Sequence, residues 1–243
     1  MEIKQHAEEA TLAQRGQDNG FLLTHYEKWV HPLFLSLFTT RFVAFEAIYT
    51  GLVRLAGNRD EVQEGPCHVL DLACGTGWFG RKLAREPFYR DKKVFVDGVD
   101  LSRNAVDAAQ GLYEKEEVAP GSFKLWCCGA HDMAMFEDGR FHEVWLCGAL
   151  HQIPGVSETI REVNRVLKPG GILCCQTFVC SKNPLINAVQ QRHARASGHR
   201  YFEFHELEAC LEEHGLSVRA RDTCRSVVLF TAVKRRRSEM QSI

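Results

Sequence analysis

The run Val69-Leu70-Asp71-Leu72-Ala73-Cys74-Gly75-Thr76-Gly77-Trp78-Phe79-Gly80 constrains the fold of this chain more than any other. An apolar, strand-like stretch leads directly into Gly-x-Gly-x-x-Gly, and a helical pattern starts on the second glycine. A strand that ends in a glycine turn and enters a helix is the opening of a parallel α/β unit. The turn backbone and the helix N-terminus then face the ligand. The same alternation continues downstream: strands are expected at 68–72, 94–99, 123–127, 143–147 and 171–177, with helices at 77–85, 103–113 and 156–167. Two further strands, at 217–221 and 227–233, read as an antiparallel hairpin. The expectation is an α/β fold, a doubly wound, seven-stranded, mostly parallel sheet. Right-handed crossovers place the strand C-termini along one edge, where ligands bind at the reversal of strand order.

Two stretches fall outside this alternation. Residues 1–60 read as helical, with Phe21, Tyr26, Trp29, Phe34, Phe38, Phe42, Phe45, Tyr49 and Leu52 at helical spacing. Residues 181–205 interrupt the pattern just after the fifth strand, with a helix expected at 185–196 and another, 204–214, beyond. The domain organisation expected is an N-terminal helical cap, 1–60, and a ligand-binding domain, 61–243, carrying a cap insertion at 181–205. The two caps together would form a lid whose aromatic and aliphatic content suits an apolar or aromatic ligand.

The chemistry of the glycine turn depends on Asp71, four residues before Gly75. The Gly-x-Gly-x-x-Gly spelling, with the acidic Asp100 closing the second strand to receive ribose hydroxyls, fits a dinucleotide such as NAD. A carboxylate at the end of the first strand would face the pyrophosphate and repel it by several kcal/mol at low effective dielectric. It would attract a cation instead, and S-adenosylmethionine carries an ammonium and a sulfonium where a dinucleotide carries phosphates. A Tyr-x-x-x-Lys pair, which a short-chain dehydrogenase needs beyond the fourth strand, occurs only at Tyr89 and Lys93, before the second strand.

Bulk properties narrow the partner. The 243 residues carry a net charge of −1, and the one dense basic run is Lys234-Arg235-Arg236-Arg237, which argues against a nucleic-acid partner. No apolar run approaches the ~20 residues of a membrane span. The first twenty residues hold Glu2, Glu8, Glu9 and Asp18 and lack a signal-peptide core, so a cytoplasmic protein is expected. The ten cysteines include no Cys-x-x-Cys pair, and the neighbours Cys127-Cys128 and Cys174-Cys175 would point to opposite faces of a strand. Reduced core cysteines are expected, with no metal site.

With these motifs in place, the chain resembles the class I S-adenosylmethionine-dependent methyltransferases. Residues 69–77 resemble the first motif, Gly98-Val99-Asp100-Leu101-Ser102 the second, and Arg165-Val166-Leu167-Lys168-Pro169-Gly170-Gly171 the loop before the fifth strand. The closest flavour is the methyltransferase type 11 group, which includes quinone C-methyltransferases and plastid relatives of unassigned substrate. The resemblance covers roughly 65–233 and implies S-adenosylmethionine as cofactor, S-adenosylhomocysteine as product and a small-molecule methyl acceptor, with O- or C-methylation favoured over N- or S-methylation. It also implies that Asp71, Ala73, Gly75 and Gly77 line the methionine end, that Asp100 binds the ribose and that Leu101 packs on the adenine. Ala130, His131 and Cys147 complete the cofactor residues. The family's usual Gly-Asp-Ala after the third strand is Cys128-Gly129-Ala130 here, leaving His131, Asp132 or the backbone to replace the missing Asp. The usual Phe-Asp before the fourth strand is Phe141-His142.

Methyl transfer requires alignment of nucleophile, methyl carbon and sulfur, and a base only where the acceptor enters protonated. His151, in Cys147-Gly148-Ala149-Leu150-His151-Gln152 after the fourth strand, is the first candidate to orient or deprotonate the acceptor. Tyr26 is the second, since relatives carry a Tyr on an N-terminal helix that covers the sulfonium. His193, His199 and Tyr201 are candidate lining residues of an acceptor pocket.

Overall fold

The computed structural model describes residues 44–57, 66–86 and 93–236. Within them a seven-stranded sheet runs in the order β3-β2-β1-β4-β5-β7-β6. In chain order the elements are α1 (Phe45–Ala56), β1 (Cys67–Leu72), α2 (Trp78–Ala84), β2 (Val94–Asp100), α3 (Arg103–Lys115), β3 (Phe123–Cys127) and β4 (Phe141–Cys147). A single 3-10 turn (Leu150–Gln152) follows, then α4 (Val156–Val166), β5 (Leu167–Phe178), α5 (Pro184–Ser197), α6 (Phe204–Glu213), β6 (Leu216–Cys224) and β7 (Val227–Lys234). The first five strands pair in parallel, whereas β7 pairs antiparallel with both β5 and β6. The hairpin expected at the end of the chain is present, with its second strand inserted between β5 and its first. Strand order reverses at β1, which has β2 on one side and β4 on the other, so the ligand crevice opens at the C-terminal end of β1.

Strand periodicity divides the core into two layers. Val144 and Leu146 face one layer while Trp145, between them, faces the other; Leu173 and Cys175 are separated from Cys174 in the same way. The first layer is closed by α4 and α6 through Ile160, Val163, Leu207 and Leu211. The second is closed by α1 and α2 through Ile48, Tyr49, Leu52, Phe79 and Leu83. All ten cysteines are free; Cys174 and Cys175 are buried, seven others are partly buried and Cys224 is exposed.

Two expectations differ from the structure. The last helix of the segment read as a cap, α1, lies flat on the sheet, where Tyr49 stacks on Trp145 at 5.4 Å, so residues 45–56 belong to the α/β core. Its buried stripe of Phe45, Ile48, Tyr49, Leu52 and Ala56 is the spacing that hides one face of a helix against a sheet. Residues 1–43, including Tyr26, lie outside the described residues. The fifth strand also starts earlier than expected. Leu167 already pairs with Phe141, and the register then jumps to Glu143 and Ile172, leaving Lys168-Pro169-Gly170-Gly171 as a bulge. That motif lies at the strand's N-terminal end, away from the ligand edge. A Cβ on Gly171 would lie 2.8 Å from the Lys168 carbonyl oxygen and 3.1 Å from that of His142, so the motif shapes the entry to the strand.

Candidate cofactor cleft

The turn after β1 is built from backbone groups that pair with neighbouring strands. The Cys74 N–H donates to the Val99 carbonyl at 2.9 Å, and the Gly77 N–H to the Cys74 carbonyl at 2.8 Å. Ala73, Gly75 and Gly77 all have positive φ (54°, 54° and 76°). A left-handed alanine is strained, of the order of 1–3 kcal/mol, and such strain concentrates at ligand clamps.

Close packing behind the turn explains two of its glycines. A Cβ on Gly77 would sit 2.7 Å from the Tyr113 ring, and one on Gly80 would sit 2.1 Å from the Tyr113 hydroxyl. The tyrosine cannot retreat, because it is fully buried and stacks on Phe123 at 4.3 Å. The second and third glycines of the motif thus let α2 and α3 touch. Gly77 is not among the residues that line the cleft. Gly75 does line it, and a Cβ there would meet open space.

Asp71 and Asp100 stand at the ends of adjacent strands and both face the cleft. The Asp100 carboxylate is held from two sides: the Gly75 N–H donates to Oδ2 at 2.8 Å and the Ser102 N–H to Oδ1 at 2.9 Å. A carboxylate has acceptor capacity beyond these two bonds, so Asp100 remains able to receive a pair of hydroxyls. Burial raises its pKa, and the backbone N–H donors pull it back. Asp71 accepts the Gly80 N–H at 2.8 Å. Burial, opposed by that bond and reinforced by the charge of Asp100, lifts its pKa to about 7. The nearest cation acting on Asp71, Arg81, is engaged with Glu116. The cleft therefore presents two crowded carboxylates at its floor, an arrangement that a cationic ligand relieves and a pyrophosphate would aggravate.

The remaining walls are mainly apolar. Leu101, beside Asp100, is 60% exposed, an unusual state for a leucine and one that a flat apolar ligand would end. Opposite the turn stand Cys128, Gly129, Ala130 and His131. The His131 ring lies over Gly129, with its Cε1 2.9 Å from where a Cβ would be. The imidazole thus occupies the space that a side chain at Gly129 would take, while Asp132 does not line the cleft. Phe45 and Trp78, stacked at 5.4 Å, close the Asp71 end together with Phe79. Cys147, Gly148, Ala149, Gln152, Ile153 and Pro154 face them from the far side of β1.

The structure brings most of the sequence-derived residues together. Asp71, Ala73, Gly75, Asp100, Leu101, Ala130, His131 and Cys147 all line the one cleft. His151 does not. Its side chain is buried behind the wall, edge-on to Phe178 at 4.5 Å and to His199 at 5.1 Å, with Nε2 3.3 Å from Gln152 Nε2. Successive residues of a 3-10 turn are rotated by a third of a revolution, so Gln152 faces the cleft while His151 points inward. His193, His199 and Tyr201 gather around His151: the Tyr201 hydroxyl is 2.9 Å from His193 Nδ1, and the His193 and His199 rings are 5.0 Å apart. Burial and the neighbouring His193 push the His199 pKa down to about 4. His142, in the place of the family's Asp, is structural: its Nδ1 accepts the His68 N–H at 2.9 Å between the N-terminal ends of β4 and β1.

Comparison with known proteins agrees with this geometry. Residues 69–171 match the methyltransferase domain family. The chain is 32% identical over 156 residues to an uncharacterized chloroplastic methyltransferase of Arabidopsis thaliana, covering 61% of this chain and 42% of that protein. It is 31% identical over 150 residues to a demethylmenaquinone methyltransferase of Lactiplantibacillus plantarum, covering 58% of this chain and 61% of the other. The matches thus span about half the length of these curated relatives. Among solved structures, phosphoethanolamine N-methyltransferase 2 of Haemonchus contortus in complex with S-adenosyl-L-methionine superposes with a TM-score of 0.64 at 16% identity, over 79% of this chain and 53% of that one. The [4+2]-cyclase SpnF superposes with a TM-score of 0.62 at 18% identity, over 79% and 83%. At such identities the solved structures show the fold. Taken with the motif residues that line one cleft, residues 69–171 match a methyltransferase domain within a chain that has the fold of the S-adenosylmethionine-dependent methyltransferases.

Proposed function

We propose that this domain methylates carbon or oxygen of a small apolar or aromatic acceptor of the quinol type. The observation that carries the reading is the stacked Phe45–Trp78 pair beside Asp71, which gives the methionine end of the cleft an aromatic wall. Quinone methyltransferases among the relatives, such as a 2-phytyl-1,4-naphthoquinone methyltransferase of Nostoc punctiforme, 30% identical over 51% of this chain, support it. S-adenosylmethionine, when bound, supplies a methyl group made electrophilic by its sulfonium. Asp71 neutralises the ammonium of the amino-acid end, Asp100 receives the ribose hydroxyls and Leu101 covers the adenine. Phe45, Trp78 and Ile153 keep water from the acceptor and set its plane, so that proximity and orientation lower the barrier. Gln152 is the polar side chain at this end. His151, packed behind it, acts as a positioning residue; Tyr26, the other candidate, lies outside the described residues.

The test is methyl transfer from radiolabelled S-adenosylmethionine to a panel of quinols, phenols, amines and thiols. Label is expected in the quinols or phenols. Turnover of small polar amines or thiols alone would overturn the acceptor assignment. Binding of S-adenosylhomocysteine with no transfer to any acceptor would favour a non-transferring use of the same fold.

A further inference from the structure

The helix α5 carries a surface that the cofactor cleft does not use. Among the described residues the exposed large hydrophobic side chains are Leu101, Met135, Leu185, Ile186 and Val189, and the last three sit on the first turns of α5 at 78%, 41% and 66% exposure. Leu185 and Val189 point outward, whereas Ile186 lies one helical turn before the buried Gln190 and so flanks the inner face. There Gln190 is fully buried, its Nε2 donating to the Val179 carbonyl at 3.1 Å and its Oε1 accepting the Ser181 N–H at 2.8 Å. Leu185, Val189 and Arg192 follow at four- and three-residue intervals and so share one outer stripe.

The chain segment that carries this stripe is basic, and the exposed acids Glu203 and Glu206 follow it directly. Lys182, Arg192, Arg195 and Arg200 are all exposed, and no Asp or Glu occurs between Glu162 and Glu203. In a chain of net charge −1 this is a local excess of four positive charges beside three exposed aliphatic side chains. A bilayer containing anionic lipid matches both, with phosphates for the cations and acyl chains for the aliphatic groups.

The C-terminal end of α5, about 18 Å along the helix from Leu185, lies next to the cleft. The segment that follows α5 is tied to the turn after β4, where the Arg200 N–H donates to the His151 carbonyl at 2.8 Å, and the residue after His151 is the cleft-lining Gln152.

We propose that the outer face of α5 seats the domain on an anionic lipid surface, with Leu185 and Val189 entering the interface, so that an acceptor dissolved in the bilayer reaches the cleft rim. The proposal rests on the apolar-acceptor reading for its purpose and on α5 alone for its physical basis. The test is flotation of the full chain with vesicles of phosphatidylcholine alone or with added phosphatidylglycerol. Binding is expected to the anionic vesicles, to weaken with salt, and to fall about fivefold for each cation lost in Arg192→Gln/Arg195→Gln. The Leu185→Ser/Val189→Ser variant is expected to lose it as well. Unchanged affinity for S-adenosylhomocysteine shows that both variants are folded. No flotation, or flotation that neither variant alters, overturns the proposal. A dimer dispersed by Leu185→Ser/Val189→Ser without vesicle binding assigns the face to a second copy and overturns it too. Flotation without quinol methylation leaves the docking intact and removes the acceptor reading. Methylation in detergent without flotation does the reverse.

Discussion

Replacing Asp71 with Asn should make the protein more stable and its cofactor binding weaker. Burial and the charge of Asp100 raise the Asp71 pKa from 3.8 to about 7 in the folded chain. At about 1.4 kcal/mol per pH unit, the ionised carboxylate costs the unliganded fold about 4 kcal/mol above neutral pH. The sign follows from linkage: the folded state holds this proton more tightly than the unfolded state, so the contribution is greatest below pH 4 and is lost as pH rises through about 7. Between pH 6 and pH 8 the loss amounts to about 1.4 kcal/mol. An Asn keeps an oxygen for the Gly80 N–H and carries no charge, but it buries an amide NH2 that needs a partner. A net gain of about 2 kcal/mol at pH 8 is therefore expected, a rise of roughly 4–8 °C in Tm for a domain of this size. Binding changes in the opposite sense. The ammonium of S-adenosylhomocysteine loses its counter-charge, at a cost of about 2–4 kcal/mol, or roughly 30- to 1000-fold in Kd. Wild-type affinity should strengthen as pH rises from 6 to 8, and the affinity of Asp71→Asn should not. Thermal unfolding and calorimetric titration across that range test both halves. A variant that is no more stable than wild type at pH 8 and binds equally well would refute the argument that the cleft floor is a charged site awaiting a cation.

Two further outcomes follow from the packing. Gly80→Ala drives a methyl group into the Tyr113 hydroxyl and should destabilise by about 1–3 kcal/mol; adding Tyr113→Phe should recover much of this, and a double-mutant cycle in urea measures the coupling. Leu101→Ser should leave stability within about 0.5 kcal/mol, since the side chain is 60% exposed, while weakening S-adenosylhomocysteine by roughly 5- to 30-fold, as calorimetry would show.

The sequence carried the fold where backbone physics is local. Strand alternation and the turn between Asp71 and Gly80 are legible because each depends on residues a few positions apart, and the expected strands and helices lie within a few residues of the observed ones. What was not legible depends on direction in space. Phe45, Trp78 and Gln152 line the cleft, but only the azimuth of a helix or a 3-10 turn separates them from the buried Tyr49 and His151. The single available signal was position: Gln152 adjoins the histidine singled out at the ligand edge. The early start of β5 was hidden by Pro169-Gly170-Gly171, residues that normally end a strand and here form a bulge within one. The helix α1 resembled its cap-like neighbours in the aromatic run, and its seat on the sheet depends on Trp145, about a hundred residues away in the chain.

The insertion of β7 between β5 and β6 has a consequence for how the chain is made. During synthesis β6 leaves the ribosome before the strand that joins it to the sheet, and β5 meanwhile offers an open edge where β7 will lie. The half of the molecule that includes the rim around α5 is thus closed only once β7 has followed every other strand of the sheet. Lys234 then ties that strand to the carbonyls of Asn164 and Leu167. Until that moment the nascent domain exposes the edge of β5 and leaves β6 without a partner strand, features prone to intermolecular pairing. Premature termination before residue 227 should therefore yield insoluble product even though the glycine turn and both cleft carboxylates are already present.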